Sequence, residues 1–241
     1  MSSVRLSVII PAYNEERRLG ATLETVQTFL REQTWTWEVR VVDDGSADDT
    51  RGIGRRFAAR EPRIVLQEEP HRGKGGAVKA GLTSARGEYR FICDADLSMP
   101  IAEVTRFLPP AVSDFDVAIG SREGRQARRV GEPVYRHLMG RLFNLGVQQL
   151  VLPGIEDSQC GFKMFTAGAV DAIFPHVSVD GWAFDVEVLA IARSRGLRIA
   201  EVPIEWHYRA ESRLSMLRDG WAMLQELLRI RRRAARGDYR R

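Results

Sequence analysis

The chain has 241 residues, of which 44% are apolar and 28% charged, and its formal net charge is +4. These values are typical of a folded soluble protein and exclude a disordered chain. Two cysteines argue against a disulfide framework and favour a reducing, cytoplasmic setting. The N-terminus lacks the pattern of a signal peptide, and no stretch has the roughly 18 apolar residues of a spanning helix. Any membrane association is therefore expected to be peripheral.

The first hundred residues alternate short apolar runs with helical patterns. The runs predict strands at 6–10, 37–42, 63–67 and 89–93, and the 3.6-residue periodicity predicts helices at 15–31, 48–60 and 75–85. This alternation indicates a mostly parallel, Rossmann-like α/β sheet flanked by helices. Ligands of such sheets bind beyond the carboxyl ends of the strands.

The second half is less regular. It predicts strands at 116–120, 161–165 and 198–203, and helices at 135–151, 184–195 and 214–236, whereas 121–132 is polar, Arg-rich and expected to be mobile. We expect one domain over 1–211, with a nucleotide half at about 1–120 and an acceptor half at about 121–211. An amphipathic basic helix and tail, 212–241, would follow.

Two carboxylates, Asp94 and Asp96, follow the fourth predicted strand. Mg²⁺ or Mn²⁺ is typically held by one or two protein carboxylates, with substrate phosphates and waters completing the coordination. The alternative is a solvated turn before a helix that Pro100 opens. After the similar acidic turn of the second strand, the metal interpretation is favoured.

That second acidic turn is Asp43-Asp44-Gly45-Ser46. One of its carboxylates can accept hydrogen bonds from a base or a ribose, although acidic residues also stabilise helix N-termini without any ligand. The segment Pro11 to Glu16 follows the first strand and is equally compatible with a turn into a helix capped by Asn14.

The Gly-rich segment 71–79 precedes a helix and suits backbone amides that face phosphate, although it lacks the Walker A pattern. A close strand-to-helix turn is the alternative. Lys74 within it is expected to contact either a diphosphate or a nearby aspartate.

Taken in order, these motifs resemble the family 2 glycosyltransferases of the GT-A fold, in particular the branch of dolichyl- and polyprenyl-phosphate β-glucosyltransferases. Four later motifs carry the resemblance further: Gly120-Ser121-Arg122, Asp157-Ser158-Gln159-Cys160-Gly161-Phe162-Lys163, Trp182-Ala183-Phe184-Asp185-Val186-Glu187 and Glu201-Val202-Pro203-Ile204. Two positions depart from the pattern. Ser98 stands where the mannosyl branch often has Gln, and Gly140 replaces a possible acceptor-phosphate hydroxyl.

The resemblance implies roles for individual residues. It implies donor contacts for Pro11, Tyr13, Glu15, Asp43, Asp44, Lys74, Asp94, Ala95 and Arg213. It implies a metal held by Asp96 and Asp94, and acceptor-phosphate contacts for Arg122, Arg136 and Lys163, with the donor diphosphate as the alternative for the two arginines. Asp96, Asp157 and Asp185 are the candidate catalytic carboxylates.

The implied reaction moves a hexose, expected to be glucose from UDP-glucose, to a polyprenyl phosphate with inversion at the anomeric carbon. A phosphate monoester is largely ionised at neutral pH and scarcely needs a general base. A hydroxyl acceptor would need one, and Asp157 is preferred over Asp185 for that role. The alternatives are a GDP-mannose donor, a soluble hydroxyl acceptor, or a non-catalytic nucleotide-sugar-binding module.

The predicted C-terminal helix carries an apolar stripe followed by arginines. With a lipid acceptor, this pattern favours peripheral attachment to an anionic membrane surface at its cytoplasmic face, although a packed helix with a solvated tail is the alternative. No nucleic-acid partner is expected, since the chain lacks a recognition motif. The four histidines, His71, His137, His176 and His207, show no metal-ligand spacing and are expected to be structural or exposed.

Overall fold

The structure is a computed structural model that describes residues 3–181, 183–208 and 216–240, and for 216–222 the backbone alone. Its strands are β1 Leu6–Ala12, β2 Trp37–Asp44, β3 Ile64–Glu69, β4 Tyr89–Ile92, β5 Val117–Ser121, β6 Arg128–Val130, β7 Lys163–Thr166, β8 Ile199–Pro203 and β9 Glu205–His207. Its helices are α1 Leu19–Arg31, α2 Thr50–Arg60, α3 Lys74–Ser84, α4 Val134–Leu150, α5 Ala167–Ile173, α6 Phe184–Ser194 and α7 Met216–Arg236. Two short 3₁₀ helices cover Ile101–Phe107 and Phe174–His176.

Seven strands form the central sheet in the order β3-β2-β1-β4-β7-β5-β8. The pairings β1 with β2, β1 with β4, β2 with β3 and β5 with β8 are parallel, whereas β7 runs antiparallel to both of its neighbours. The predicted mostly parallel α/β architecture is therefore confirmed. β6 and β9 form a separate two-stranded parallel ribbon.

Apolar side chains pack on both faces of the sheet. Along β1, Val8 and Ile10 enter one buried cluster and Ile9 enters the other, because successive side chains of a strand point to opposite faces. Strands buried on both faces read as continuous apolar runs, and this is why β1 and β2 are recognisable in the sequence. Cys93 and Cys160 are both buried and unbridged.

Helix α1 begins four residues later than predicted. Residues 13–18 are instead a turn that is bonded to the start of α2: the backbone amide of Glu15 donates to Thr50 Oγ1 at 2.7 Å, and the amide of Ala47 donates to Asn14 Oδ1 at 2.8 Å. Asn14 has a positive φ of 52° and thus links two loops rather than capping a helix.

The second half contains elements that the sequence pattern did not predict. Helix α5 follows β7 directly, with Thr166 as its N-cap, and β9 follows β8 after Ile204. Strand β6 lies within 121–132, where no regular structure was expected. In the part of the chain that is described, no helix combines the length and apolar character needed to cross a bilayer.

Candidate functional site

A cleft of about 640 Å³ lies at the carboxyl ends of β1, β2 and β4. Of the residues that the sequence proposes, it is lined by Pro11, Tyr13, Glu15, Asp44, Lys74, Asp94, Ala95, Asp96, Arg122, Arg136, Asp157 and Asp185. Parallel strands bring their carboxyl ends to one edge, and this geometry gathers residues that are more than a hundred positions apart in the sequence.

Asp44 connects strand β2 to the Gly-rich loop. Its carboxylate accepts from the backbone amides of Arg72 at 2.8 Å and Gly73 at 2.9 Å, and the His71 ring lies 2.9 Å from its Oδ2. The His71 ring also stacks on Tyr13, with centroids 4.2 Å apart and planes at 20°. His71, expected to be structural or exposed, therefore forms part of the cleft wall.

The Asp94 carboxylate accepts from Lys74 Nζ at 2.6 Å. Burial alone would lower the pKa of Lys74, but the carboxylates of Asp94, Asp185 and Asp96 outweigh it and raise that pKa, so the ammonium stays charged. Asp96 follows in the same turn, and its Oδ1 accepts from the backbone amide of Ser98 at 2.9 Å. The turn thus presents two carboxylates to the cleft with one cation beside them.

Gly161 packs directly against Asp94. A Cβ atom built at Gly161 would overlap the Asp94 carboxylate. The loop before β7 therefore approaches the acidic turn so closely that a side chain at position 161 would displace the Asp94 carboxylate, whereas glycine leaves it beside Lys74.

Oxygen ligands of this kind suit Mg²⁺ or Mn²⁺. Among residues 3–181, 183–208 and 216–240, no group of three or more His, Cys, Asp or Glu side chains is arranged to hold a metal. Asp94 and Asp96 alone would leave most coordination positions to diphosphate oxygens and water, as is usual for Mg²⁺ bound with a nucleotide. The donor set therefore fits a cation that binds together with its substrate.

Arg122 and Asp157 form a largely buried, bidentate ion pair. Arg122 donates from Nε to Asp157 Oδ2 at 2.7 Å, from Nη2 to Oδ1 at 2.9 Å, and from its backbone amide to Oδ2 at 3.0 Å. Burial raises the pKa of Asp157, but the Arg122 charge and hydrogen bonds outweigh it and hold that pKa below its usual range. Both oxygens of Asp157 are thus occupied by a permanent cation, a poor arrangement for a general base.

Asp185, at the start of α6, is also paired. Its Oδ1 accepts from Lys163 Nζ at 2.6 Å, and the same ammonium donates to the Cys160 carbonyl at 2.5 Å. Lys163 is fully buried. Lys163 therefore lies behind the cleft wall, where it neutralises Asp185 and cannot itself reach an acceptor phosphate.

Two aromatic rings support the two arginines of the acceptor side. The Arg122 guanidinium lies 5.3 Å from the centroid of Trp206, and that of Arg136 lies 5.3 Å from the centroid of Tyr208. The rings are 6.1 Å apart, because Trp206 and Tyr208 are two positions apart in an extended segment and share a face. All four residues line the cleft. Within the described chain, Arg136 has no carboxylate at ion-pair distance, so its charge is available to an anion.

The Arg-rich segment 121–132 is held together by Arg129. Its guanidinium contacts Glu123 at 2.6 Å, Glu132 at 2.5 Å and the carbonyl of Arg122 at 3.0 Å. Both glutamates line the cleft. Their pairing with Arg129 prevents them from presenting bare negative charge to an anionic substrate.

One further predicted residue, Asp43, does not line the cleft. Asp43 is fully buried, where it accepts from Arg51 Nε at 2.9 Å and from the amide of Ser46. Its role is therefore to shape the turn that carries Asp44. Arg213 lies outside the described residues, as does Trp182 of the fourth motif. His71, Trp206 and Tyr208 were not among the proposed site residues. Trp206 lies in β9, a strand that the sequence pattern did not predict, and Tyr208 follows it directly.

Comparison with known proteins agrees with this geometry. The model of glycosyl transferase family 2 matches residues 7–174. The chain belongs to glycosyl transferase family 2. It is 35% identical over 255 residues to a dolichyl-phosphate beta-glucosyltransferase of Homo sapiens, an alignment that covers 98% of this chain and 78% of that protein. The Dictyostelium discoideum protein of the same name is 33% identical over 254 residues, covering 100% and 78%. These relatives identify the chain as a hexosyltransferase.

Solved structures confirm the GT-A-like fold. Glucosyl-3-phosphoglycerate synthase from Mycobacterium tuberculosis, crystallised with UDP, superposes with a TM-score of 0.67 at 18% identity and covers 96% of this chain and 80% of its own. The same enzyme has been crystallised with Mn²⁺, UDP-glucose and phosphoglyceric acid. Mannosyl-3-phosphoglycerate synthase from Rubrobacter xylanophilus gives a TM-score of 0.69 at 20% identity, covering 99% and 76%.

Proposed function

We propose that this chain transfers glucose from UDP-glucose to a dolichyl-type polyprenyl phosphate, with inversion at the anomeric carbon and with Mg²⁺ or Mn²⁺ as cofactor. The relatives' names support the glucosyl donor and the lipid acceptor. The observation that carries the choice of acceptor is chemical: Asp157 and Asp185, the two carboxylates considered as bases, are each held in an ion pair. An acceptor that is already ionised needs no base.

The donor would lie over the ends of β1, β2 and β4. Tyr13 and His71 offer stacked rings at one end, where the nucleoside is expected, and Pro11, Glu15 and Asp44 complete that wall. The diphosphate would then reach Asp94, Asp96 and Lys74. A divalent cation held there would neutralise charge on the departing UDP. Lys74 supplies a second positive charge beside the same diphosphate.

The acceptor phosphate would meet Arg136 and the free edge of Arg122. Asp157 occupies the Nε and Nη2 hydrogens of Arg122, which leaves both Nη1 hydrogens for another anion. A phosphate oxygen would attack the anomeric carbon, the bond from that carbon to the β-phosphate oxygen would break, and the electron pair would leave with UDP. Guanidinium groups suit this acceptor because they bind phosphate in a bidentate manner.

The division into a nucleotide half up to about residue 120 and an acceptor half beyond it belongs to this proposal. So does peripheral attachment at the cytoplasmic face of a membrane, since the acceptor's chain is a lipid.

A radiolabelled transfer assay tests the function directly. UDP-glucose and GDP-mannose are offered separately with polyprenyl phosphate, with Mn²⁺, with Mg²⁺ or with chelator, and Asp96→Ala serves as the variant that lacks a metal ligand. Label from UDP-glucose in the lipid phase, absent with chelator and with Asp96→Ala, is the expected result. Label from GDP-mannose alone would overturn the donor. UDP binding without any lipid product would overturn the acceptor and favour a soluble one.

A further inference from the structure

Helix α4 has two faces with different surroundings. Its inner face supplies Arg136, Gly140, Phe143 and Asn144 to the cleft wall, and Val147 below them is fully buried. At 100° per residue these five positions fall within an arc of about 100°. This face therefore belongs to the acceptor side of the site.

The opposite face is apolar and open to solvent. Six large apolar side chains lie on it, within an arc of about 140°. Val134 is 82% exposed, Leu138 67% and Leu142 71%. We call this surface the outer face of α4; it consists of Val134, Tyr135, Leu138, Met139, Leu142 and Leu145.

Such a surface is unusual for this molecule. Among the residues whose side chains are described, the only other large apolar side chain that is exposed is Leu224, on α7, a helix that packs against α4. A contiguous exposed apolar patch marks an interaction site rather than ordinary surface. The question is which partner covers it.

The charges around the outer face indicate a lipid bilayer with anionic headgroups. α4 contains Arg136, His137 and Arg141 and no acidic residue. Arg141 is 61% exposed beside the apolar stripe, with Nη1 3.0 Å from Glu123, and the His137 ring lies 3.5 Å from Glu132. Tyr135, at the start of the helix, is a residue type that is enriched at membrane interfaces. An apolar face flanked by basic residues is the pattern of a helix that lies in the plane of an anionic interface.

The C-terminal helix was expected from its sequence to provide this contact. In the part whose side chains are described, most of its apolar side chains face the protein core instead. Met223, Leu227 and Ile230 of α7 are buried, and Leu227 and Ile230 pack in the same core cluster as α6. Tyr239, beyond the helix, is also fully buried and donates to Glu187 at 3.0 Å. The buried side chains Met223, Leu227 and Ile230 of α7 thus stabilise the fold, while α4 leaves its apolar stripe exposed.

We propose that the outer face of α4 docks on an anionic lipid bilayer, with the helix lying along the interface. The inner face of the same helix would then hold Arg136 at the depth of the headgroups, where the phosphate of a membrane-bound polyprenyl phosphate lies. This inference rests on the proposed function for the identity of that acceptor, but docking itself can be measured without any turnover.

The test compares the wild-type chain with the double variant Leu138→Glu/Leu142→Glu. Neither leucine lines the cleft. The matched control, Ala21→Glu/Thr28→Glu, adds the same charge at exposed positions of α1. Co-sedimentation with phosphatidylglycerol/phosphatidylcholine vesicles should show a fall of at least about tenfold in the partition coefficient for the α4 variant and none for the control. Wild-type binding should weaken on pure phosphatidylcholine vesicles.

Transfer to a short, water-soluble isoprenyl phosphate separates this inference from the proposed function. The α4 variant should keep that activity within about twofold and lose transfer to long-chain polyprenyl phosphate in vesicles. Vesicle binding that depends on α4 without transfer by the wild type would support docking and overturn the proposed function. Equal vesicle binding by both variants would overturn docking. Docking would also be overturned if the wild type formed a dimer that does not bind vesicles and the α4 variant were monomeric, since a second copy of the chain would then cover the outer face of α4.

Discussion

The two halves of the site are built by different means. On the donor side, Asp44 ends β2 and Asp94 lies two residues beyond β4, and backbone amides of the Gly-rich loop hold Asp44 in place. On the acceptor side, the functional side chains are placed by other side chains: Asp157 holds Arg122, Lys163 holds Asp185, and Trp206 and Tyr208 support the two arginines. The donor side thus depends more on backbone contacts, with Lys74 and Asp94 as its ion pair, and the acceptor side more on contacts between side chains.

This difference predicts different consequences of mutation. Removing a member of an acceptor-side pair should lower catalysis and also destabilise the fold, because it leaves a largely buried charge without its partner. Changing the backbone contacts of the donor side should affect binding of the nucleotide and the metal. Ion pairs far from the cleft should affect stability alone.

The largest effect is expected for Asp157→Asn. The amide cannot match both hydrogen bonds of Arg122, and it leaves that largely buried guanidinium without its counter-charge. We expect kcat/KM for the polyprenyl phosphate to fall by about a hundredfold, with the KM for UDP-glucose nearly unchanged.

A double-mutant cycle distinguishes positioning from base catalysis. If Asp157 acts through Arg122, then Asp157→Asn combined with Arg122→Ala should be no worse than Arg122→Ala alone. The pH profile of the wild type should show no limb from Asp157 near neutrality, because Arg122 lowers the pKa of Asp157 and keeps it ionised. Additive losses of kcat/KM in the double variant would support Asp157 as a general base. So would a limb of the wild-type pH–rate profile that disappears in Asp157→Asn.

Gly161→Ala should have a smaller effect, confined to the donor side. The added Cβ would overlap the Asp94 carboxylate and push it away from Lys74. We expect the concentration of Mn²⁺ that gives half-maximal activity to rise by about tenfold or more, since second-shell changes at metal sites cost about 10–100-fold.

Gly146→Ala is the matched control for Gly161→Ala. A Cβ at Gly146, within α4, meets no atom, and alanine in a helix is favoured over glycine by about 1 kcal/mol. This variant should keep its metal dependence and unfold at a slightly higher temperature. Equal metal dependence in both variants would refute the role assigned to the contact between Gly161 and Asp94.

Trp206→Ala is expected to act more mildly, on acceptor binding. Cation–π contacts contribute about 0.5–2 kcal/mol, so loss of the ring beside Arg122 should raise the KM for the lipid phosphate by about two- to thirtyfold. Trp206→Phe retains an aromatic face and should recover most of this loss. A fall in kcat with no change in acceptor KM, in both variants, would place Trp206 elsewhere in the mechanism.

The sequence predicted the donor side better than the acceptor side for a physical reason. β1, β2 and β4 are short apolar runs followed at once by polar residues, so their functional side chains are adjacent to recognisable strands. The pairing of Arg122 with Asp157 joins positions 35 residues apart, and no local pattern records it. The resemblance implies an acceptor-phosphate contact for Lys163, but Lys163 is buried and Asp185 compensates its charge inside the protein.

The same reasoning explains the missed elements. Strand β9 has three residues and only one neighbour, β6, so its pattern is too short to distinguish from a loop. Helix α5 has seven residues and follows β7 without a break. The stripe of α7 was visible in the sequence, but only tertiary packing determines whether an apolar face meets the core or the solvent.

Glu61→Gln should change stability and leave transfer untouched. Glu61 is buried at the end of α2, where Arg63 and Arg31 donate to it at 2.8 and 3.0 Å, and hydrogen bonds from Arg63, outweighing burial, lower the pKa of Glu61 to about 2. Both arginines are about half exposed, which screens the pair, so we expect Glu61→Gln to lower the free energy of unfolding by about 1–2 kcal/mol at pH 7.

Because the folded-state pKa of Glu61 is lowered, this stabilisation is complete above about pH 4.5 and disappears as the pH falls towards 2. Denaturant unfolding of wild type and variant should therefore converge in that window, whereas Glu68→Gln, in an exposed pair with Arg55, should differ little from wild type at any pH. A constant gap between wild type and Glu61→Gln down to pH 2 would show that Glu61 acts through packing and not through its charge.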